Sequence, residues 1–372
     1  MLPVVRVEKL RIALVSDAWL PQVNGVTTTL SRCREELEGR GHQIDVVSPD
    51  LFRTVPCPRY PEIRLAVAAG RGVRARLDRL APEAVHIATE GPLGLAARGW
   101  CRRRGRPFTT SFHTRFPEYL RAYAAVPTRV TYRLMRWFHG AAQATLVPTA
   151  SLKNELEARG FRRVVQWLRG VDAELFRPRG PEECPYDLPR PVFLYAGRVA
   201  VEKNLDAFLG LELPGSKLVV GDGPARERLA RSHPDVHWAG FRFGDDLARH
   251  YAGADVFVFP STTDTFGVVM LEANACGLPV AAFPVPGPVD VVVPGRTGVL
   301  DGDLRRACLG ALALDRTPCV EHARNHTWAR CAEMLLANLA VLRAAAGSGR
   351  DGATGATEDR HARDSVGWRK RR

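Results

Sequence analysis

Two acids, Asp264 and Glu272, are the residues whose types and spacing most suggest chemistry. They lie eight positions apart after an apolar run, so we predict a helix that begins at Asp264 and carries both acids on roughly one face. Glu272 falls in the otherwise apolar stretch Val268–Ala273, where a carboxylate is costly without a partner, and a ribose diol would be a good one. A helix cap at Asp264 and a structural salt bridge at Glu272 are the alternatives.

Two cations, Arg198 and Lys203, follow another apolar run and the glycine Gly197. If that run is a strand, both side chains lie at its carboxyl end, where α/β proteins bind ligands. Arg binds phosphate with two donors, and a pair of phosphates needs such neutralisation. These residues predict a diphosphate site, and two solvated surface charges are the alternative.

Glycines and one histidine mark further candidate loops. Gly25 follows Asn24 where a strand gives way to a helix, so a ligand can approach its backbone and the helix N-terminus favours negative charge. Gly223 belongs to a second such turn, Gly221–Pro224, which either lies beside a nucleotide or is a plain turn. His113 follows a strand and either reaches sugar hydroxyl groups or is structural.

The elements that must position these residues form two similar series. Short apolar runs alternate with helical stretches, and the pattern restarts after the Pro-rich segment 177–191. The predicted strands are 11–16, 44–48, 85–88, 108–112 and 144–147 in the first series and 192–196, 217–221, 236–239, 255–259 and 278–283 in the second. Such alternation predicts an α/β fold of two doubly wound, Rossmann-like parallel-sheet domains facing a deep cleft.

The domain boundaries follow from the same pattern. We place an N-terminal domain at 1–178 and a C-terminal domain at 179–328, and the segment 329–346 is a helix able to pack back on the first domain. Residues 319–346 are rich in Ala and Leu and predict one long terminal helix. Residues 347–372 have almost no apolar content and predict a disordered basic tail.

Composition argues against several classes of protein. Of the 372 residues, 45% are hydrophobic and 25% are charged, which is unlike a wholly disordered chain, a collagen or a coiled coil. No uninterrupted apolar stretch reaches the roughly 18 residues of a membrane-spanning helix. The charges within residues 1–20 do not fit a signal peptide. The eight cysteines form no C-x-x-C pair, so we expect reduced core thiols rather than a zinc site.

The net charge of +13 is unevenly distributed. Residues 1–180 carry 30 Lys and Arg against 16 Asp and Glu, whereas residues 181–346 carry 16 against 20. Either the first half has a polyanionic partner, with an anionic membrane and nucleic acid as candidates, or its arginines serve solubility. Three basic stretches suit either a lipid headgroup interface or a solvated helix face. Residues 71–80 are amphipathic, 102–106 form a compact cationic cluster, and 132–138 mix aromatic residues with Arg.

Together these motifs resemble the retaining glycosyltransferases of family four, which have the GT-B fold. The matching motifs are Asn24-Gly25-Val26, Ser111-Phe112-His113-Thr114, Arg169-Gly170-Val171-Asp172, Gly197-Arg198 with Lys203, Gly221-Asp222-Gly223-Pro224 and the acid pair at 264–272. They cover residues 11 to about 345. Most of the family has Glu as the first acid, whereas this chain has Asp264. The sequence of residues 263–267 is similar to that of lipid-directed branches of the family, such as sulfolipid and diacylglycerol glycosyltransferases.

The resemblance implies that the N-terminal domain at 1–178 binds the acceptor and that the C-terminal domain at 179–328 binds the nucleotide sugar. Arg198 and Lys203 would hold the departing diphosphate, and Glu272 would bind the donor ribose. The implied catalytic residues are His113, Arg198, Lys203 and Asp264. The implied donor-binding residues are Gly25, Gly197, Arg198, Lys203, Gly223, Asp264, Thr265, Phe266, Gly267 and Glu272.

The resemblance also implies the reaction. A hexose (glucose, glucuronate or mannose) would move from a UDP- or GDP-linked sugar to a membrane lipid of the diacylglycerol or phosphatidylinositol type, with no cofactor and no required metal. The enzyme would be cytoplasmic, peripheral on an anionic membrane surface at the inner face of the cell membrane, and without a nucleic-acid partner. The alternatives are the same chemistry on a soluble or polysaccharide acceptor, a nucleic-acid-binding protein that uses the basic half, and a catalytically silent binding module of the same fold.

Overall fold

The computed structural model describes residues 9–22, 24–57, 60–118 and 126–348. These form two lobes, each built on a six-stranded, all-parallel sheet. The sequence-based expectation of an α/β fold with two Rossmann-like domains is therefore confirmed. Buried apolar clusters lie on both faces of each sheet, which explains why the strands are nearly continuous apolar runs.

The first lobe runs from β1 to β8. Its strands are β1 (Arg11–Val15), β2 (Gln43–Val47), β3 (Thr54–Cys57), β4 (Tyr60–Ala66), β5 (Ala84–Ile87), β6 (Thr109–Ser111), β7 (Ala144–Val147) and β8 (Val164–Gln166). Its helices are α1 (Gly25–Gly39), α2 (Gly70–Leu80), α3 (Pro92–Arg103), α4 (Thr128–His139) and α5 (Ala150–Ala158). The sheet order is β2-β1-β5-β6-β7-β8, and β3 and β4 form a separate antiparallel hairpin.

The second lobe repeats this plan. Its strands are β9 (Val192–Ala196), β10 (Ser216–Val220), β11 (His237–Gly240), β12 (Val256–Phe259), β13 (Val280–Ala282) and β14 (Gly298–Leu300). Its helices are α6 (Asp206–Leu209), α7 (Arg226–Ser232), α8 (Gly244–Ala252), α9 (Val268–Ala275), α10 (Pro288–Val291), α11 (Leu304–Leu312) and α12 (Thr317–Arg324). The order β11-β10-β9-β12-β13-β14 reverses direction between β9 and β12, as in dinucleotide-binding folds.

A terminal helix, α13 (Trp328–Ser348), crosses back to the first lobe. Its residues Trp328, Cys331 and Leu335 are buried in the same apolar cluster as β1 and α1. The Trp167 indole N–H donates to the Cys331 carbonyl at 2.8 Å, which attaches α13 to the segment after β8. The second lobe is therefore connected to the first by both the linker and this helix.

The prediction of one unbroken helix over 319–346 is wrong. Residues 325–327 separate α12 from α13, because backbone groups of His326 and Thr327 pair with Val171 of the segment after β8. The Val171 amide donates to the His326 carbonyl at 2.9 Å, and Val171 forms a parallel bridge with Thr327. The Thr327 hydroxyl then accepts from the Arg330 amide in the first turn of α13.

Several short elements were not predicted. The hairpin β3–β4 contains Pro56 and Pro61, which weaken a strand signal, and β8 and β14 have three residues each. All eight cysteines are free, and six are buried; these are Cys33, Cys101, Cys276, Cys308, Cys319 and Cys331. Within the described residues, no helix is both long enough and apolar enough to cross a bilayer. The predicted disordered tail lies outside the described residues, apart from the end of α13 at Ser348.

Candidate active site

The candidate site lies where the strand order of the second sheet reverses. β9 and β12 are hydrogen-bonded neighbours, so the loops that follow them leave the sheet at the same edge and diverge into a crevice. Lys203 ends a single 3-10 turn after β9, and Asp264 lies in the loop after β12. The Lys203 ammonium is 2.6 Å from Asp264 Oδ1, which brings together two residues 61 positions apart.

The predicted helix start at Asp264 is wrong. α9 begins at Val268, and the preceding Gly267 has φ +86°, a left-handed conformation that a right-handed helix cannot continue through. A Cβ at Gly267 would also lie 2.8 Å from Met270 Cε and 2.9 Å from Phe259 Cζ. Asp264, Thr265 and the buried Phe266 therefore form a loop that precedes the helix, and Asp264 is not its N-cap.

The Asp264 carboxylate is only half satisfied by the protein. Oδ1 accepts from Lys203, whereas Oδ2 is buried and has no hydrogen-bond partner among the described residues. A buried acceptor without a partner costs about 1–3 kcal/mol, so such a group is well suited to a ligand hydroxyl.

Glu272 lies on α9 beside a buried tyrosine. The Tyr251 hydroxyl, from α8, donates to Glu272 Oε2 at 3.0 Å. Enclosure by protein raises the pKa of Glu272 from 4.5 to about 7, and the Tyr251 hydrogen bond opposes that rise. The carboxylate thus has one hydrogen-bond donor among the described residues and is costly to ionise. Hydroxyl groups of a ligand would supply the missing donors.

Tyr251 was not found from the sequence, although a signal existed. It is a fully buried tyrosine at the end of an amphipathic helix, and a buried tyrosine hydroxyl usually needs a partner. Burial and the charge of Glu272 raise its pKa above the ordinary value, so it stays a proton donor. Burial and the nearby Asp264 do the same to Tyr195 on β9.

The glycines after β9 and β10 allow the two loops to touch. Gly221 has φ +134°, and a Cβ there would lie 1.9 Å from the Gly197 carbonyl oxygen. A Cβ at Gly223 would lie 2.4 Å from the Val199 carbonyl oxygen. Only glycine fits at positions 221 and 223 without displacing the loop that carries Arg198, so both glycines have a packing role, whether or not Gly223 also contacts a ligand. The Arg198 backbone is held as well, because the Tyr195 hydroxyl donates to its carbonyl at 2.8 Å.

Gly25 opens the first helix of the first lobe. Asn24 caps α1, because its side-chain oxygen accepts from the amides of Val26 and Thr27 at 3.0 Å each. A Cβ built at Gly25 meets no heavy atom within 4 Å. The space over this helix N-terminus is open, as close approach of a ligand requires.

His113 and Thr265 join the two lobes. The Thr265 hydroxyl donates to the His113 carbonyl at 2.6 Å, so the loop that contains Asp264 touches the loop after β6. The His113 side chain is buried, and its Nδ1 lies 3.2 Å from a guanidinium nitrogen of Arg169. Of the predicted catalytic residues, His113, Lys203 and Asp264 are thereby brought to one interlobe region.

A second interlobe contact was missed by the sequence reasoning. Asp290, in α10, accepts from the Ser151 amide at 2.9 Å and also from the Ser151 hydroxyl. Ser151 lies in the first turn of α5, so a carboxylate of one lobe meets a helix N-terminus of the other. Nothing in the spacing of these residues, 139 positions apart, could have paired them.

Metal ligands are not clustered in the part of the chain that the structure describes. Within those residues, no group of three or more His, Cys, Asp and Glu side chains is placed to hold a metal ion. Arg198 and Lys203 both lie on the loop after β9, and the Lys203 ammonium contacts Asp264.

The comparison with known families follows the two lobes. Residues 23–175 match the model of Glycosyltransferase Family 4, and residues 190–309 match that of Glycosyl transferases group 1. Together these matches cover most of both lobes. The chain belongs to glycosyltransferase family 4.

Curated relatives of this family 4 glycosyltransferase are similar over most of its length. A GDP-mannose-dependent alpha-mannosyltransferase of Mycobacterium tuberculosis is 34% identical over 78% of the chain and 83% of that protein. Sulfoquinovosyl transferase SQD2 of Arabidopsis thaliana is 33% identical over 67% of the chain and 52% of that protein. An alpha-monoglucosyldiacylglycerol synthase of Streptococcus pneumoniae is 27% identical over 82% of the chain and 78% of that protein. The chain is a hexosyltransferase.

Solved structures agree on the architecture. Sucrose-phosphate synthase from Thermosynechococcus elongatus has a TM-score of 0.68 at 20% identity, over 92% of this chain and 99% of that chain. Anabaena HepE in complex with UDP-glucose has a TM-score of 0.61 at 16% identity, over 92% and 100%. At this identity the likeness concerns the fold, which is GT-B, as the sequence motifs implied.

Proposed function

We propose that this family 4 enzyme moves a hexose from a nucleotide-diphosphate sugar to a membrane glycerolipid, with retention of the anomeric configuration. The observation that carries the proposal is the Lys203–Asp264 pair, which lies at the reversal point of the second sheet. The neighbouring Thr265 contacts His113 of the other lobe, so a donor bound at the pair would face the first lobe. Ligands of open α/β sheets bind at such reversal points.

The chemistry follows from the charges at the crevice. In the proposed reaction the bond from the anomeric carbon to the diphosphate oxygen breaks, and the acceptor oxygen bonds to that carbon. The acceptor proton passes to the departing diphosphate. Negative charge therefore grows on the diphosphate, and the fixed cations Arg198 and Lys203 stabilise it there. Because these two side chains supply the positive charge, we expect the reaction to need no metal ion and no cofactor.

The remaining site residues would hold the rest of the donor. Glu272 accepts the ribose hydroxyl groups, since among the described residues Tyr251 is its one hydrogen-bond donor and enclosure makes its negative charge costly. Asp264 Oδ2 accepts a hydroxyl of the hexose. The open N-terminus of α1 at Gly25 approaches the diphosphate from the first lobe, where backbone N–H groups and the helix dipole favour anions.

Among donors, we favour GDP-mannose. Three relatives, at 34%, 33% and 27% identity, are named GDP-mannose-dependent alpha-mannosyltransferases. The glucosyl and sulfoquinovosyl relatives keep glucose-type donors as the alternative. All of these names are compatible with a hexose donor, and the glucosyldiacylglycerol relatives favour a glycerolipid acceptor.

A surface on α4 supports a membrane acceptor. Val130, Leu134 and Trp137 are 60%, 51% and 51% exposed, and their spacing of four and three residues puts them on one face of α4. Arg129 and Arg133 are exposed along the side of this apolar face. We call these five residues the α4 face. An exposed apolar stripe with a Trp, flanked by arginines, fits the boundary between lipid headgroups and acyl chains.

The rest of the first lobe is suited to the same surface. Residues 1–180 are strongly basic, whereas residues 181–346 are mildly acidic, so an anionic membrane would attract the first lobe and not the second. The Arg98 guanidinium lies over the Trp137 ring, 3.8 Å from the ring centroid, and helps to hold that ring in place. We propose peripheral attachment through the α4 face at the inner surface of the cell membrane.

A transfer assay tests the activity. The purified chain is incubated with each of GDP-mannose, UDP-glucose, UDP-glucuronate and UDP-galactose and with vesicles that contain diacylglycerol or phosphatidylinositol. We expect one donor to give a glycolipid and one equivalent of nucleoside diphosphate, also in the presence of EDTA. Proton coupling at the anomeric carbon of the product reports its configuration. Product only with soluble glycan acceptors would refute the lipid assignment, and no product with any donor would refute the proposal.

A vesicle-binding assay tests the α4 face. Two arginines near an anionic surface contribute roughly 1 kcal/mol each, so Arg129→Gln with Arg133→Gln should lower partitioning by about 30-fold. The matched control is Phe241→Ser with Phe243→Ser, because these residues are an exposed, stacked aromatic pair on the second lobe. Equal binding of the arginine variant and the wild type, or equal losses in both variants, would contradict docking through α4.

A further inference from the structure

Arg169 is a buried cation in an unusual environment. It is 4% exposed, and it lies over the Trp167 ring with its guanidinium carbon 4.6 Å from the ring centroid. One nitrogen donates to the carbonyls of Trp167 and Leu168 at 2.6 and 3.2 Å. The other nitrogen meets His113 Nδ1 at 3.2 Å. Among the described residues, no carboxylate forms an ion pair with Arg169.

The contact with His113 determines where the imidazole carries its proton. A guanidinium is always a donor in proteins and has no acceptor atom. His113 Nδ1 must therefore accept from Arg169, which leaves the ring proton on Nε2. That Nε2 is buried, and no atom of the described chain accepts its proton. The protein thus presents a buried N–H donor without a partner among the described residues, on the same residue whose carbonyl accepts from Thr265.

The groups around His113 also keep the ring neutral. Burial lowers the pKa of His113 well below 6.5, and the positive charge of Arg169 lowers it further. His86, on β5, faces the same region and is itself held neutral, with hydrogen bonds to Thr109 and Ser111.

From the second lobe, the groups nearest His113 belong to the loop of Thr265. The adjacent Asp264 is already paired with Lys203, so its charge is compensated. Behind Arg169 lie the thiols of Cys33 and Cys331, whose sulfur atoms are 3.4 Å apart. Among the described residues, Arg169 is the cation that contacts the His113 ring.

We propose that Arg169 is a positioning residue: it fixes His113 as a neutral ring with the proton on Nε2, ready to donate to an oxygen of the bound sugar or of the incoming acceptor. The inference rests on the proposed function for the identity of that oxygen, but not for the state of the ring. His113 then acts as a hydrogen-bond donor throughout the physiological pH range, and it cannot serve as a base that takes the acceptor proton.

Two-bond proton–nitrogen spectra of the imidazole rings test the state of His113 directly. They show which nitrogen carries the proton, and His113→Gln assigns the signal among the ten histidines. In the wild-type chain we expect the Nε2–H form and no titration between pH 5.5 and 8. An Nδ1–H form, or titration of His113 near its ordinary pKa, would overturn the proposal without any variant of Arg169.

The variant Arg169→Met tests the cause. Without the guanidinium, Nδ1 loses its obligatory donor, so His113 should populate both neutral forms, whereas burial still keeps its pKa below the ordinary value. Arg169→Lys retains a cation and a donor, and we expect it to restore the neutral Nε2–H form at least in part. If His113 behaves alike in wild type and Arg169→Met, the proposal is wrong.

A matched control separates this role from general support of the fold. Arg98 is also a buried arginine, donates to two backbone carbonyls at 3.0 and 2.7 Å, and lies over a tryptophan. Arg98→Met should therefore disturb packing as much as Arg169→Met and leave the His113 spectrum unchanged. A change of that spectrum in both variants would show a merely structural effect.

Kinetic measurements test whether the state of the His113 ring matters for the reaction. Loss of one oriented hydrogen bond should lower kcat by about tenfold in Arg169→Met. The affinity for the nucleoside diphosphate alone should stay the same, since its proposed contacts lie in the second lobe and at Gly25. If the wild-type chain transfers no sugar, the proposed function fails while the spectra still decide the state of His113. If affinity and kcat fall together, Arg169 supports the site as a whole and the positioning role is refuted.

Discussion

Replacing Glu272 with Gln should make the empty enzyme more stable at high pH while it weakens donor binding. The folded protein holds the pKa of Glu272 at about 7 because the carboxylate is enclosed, whereas its ordinary value is 4.5. A raised pKa means that the folded state prefers the protonated acid. The stability contributed by that preference is complete below about pH 4.5 and is lost as the pH rises through 7.

The size of the effect follows from the same shift. One pKa unit corresponds to about 1.4 kcal/mol, so ionising Glu272 above pH 7 costs the folded state roughly 3 kcal/mol. Gln has nearly the same shape and never ionises, so it removes this cost. Relative to the wild type, Glu272→Gln should therefore gain about 2–3 kcal/mol in the free energy of unfolding between pH 5 and pH 8.

Urea unfolding followed by circular dichroism at pH 5 and pH 8 measures this difference. Glu227→Gln is the matched control, because the Glu227 side chain is 95% exposed in the same lobe, and it should show no such pH-dependent gain. Donor affinity of Glu272→Gln, measured by calorimetry at pH 8, should fall at least tenfold, because an amide replaces a charged acceptor of two hydroxyl groups. A variant with the same stability difference at both pH values would refute the enclosed, ionisable carboxylate.

Further predictions concern the neighbours of this carboxylate and the first lobe. Tyr251→Phe removes the hydrogen bond that lowers the pKa of Glu272, so the KM for the sugar donor should rise about tenfold, and more at low pH. Initial-rate measurements from pH 6 to 8 test this, and an unchanged KM at every pH would contradict the contact. Gly25→Ala should leave the unfolding free energy within about 1 kcal/mol, because its Cβ meets nothing within 4 Å, yet weaken nucleoside diphosphate binding in calorimetry. Intact binding in Gly25→Ala would show that the ligand does not approach this backbone.

The extent to which the sequence predicts this molecule differs between the sheets and the site. Central strands such as β9 and β12 are buried on both faces, so their apolar runs were recognisable, and parallel pairing followed from the alternation with helices. The edge strands β8 and β14 have three residues each and carry too little pattern. The break between α12 and α13 depends on pairing with Val171, a contact more than 150 residues away along the chain.

The charged residues of the site could be predicted from the sequence, whereas the contacts between its residues could not. Arg198, Lys203, Asp264 and Glu272 stood out because charged residues at strand ends or in apolar runs need a reason. The helix was placed four residues too early, since the left-handed turn at Gly267 is a backbone property that spacing alone does not reveal. Tyr251 and the Ser151–Asp290 contact came only from the three-dimensional arrangement.

In the proposed mechanism, Lys203 acts above all on the negative charge that develops as the diphosphate departs. Single-turnover transfer rates and donor dissociation constants of the wild type and Lys203→Ala test this most directly. We expect the rate to fall by about 10²–10³ while the dissociation constant rises far less, because the cation interacts more strongly with the departing diphosphate than with the bound donor. A rate within twofold of the wild type, or equal losses in rate and affinity, would contradict it.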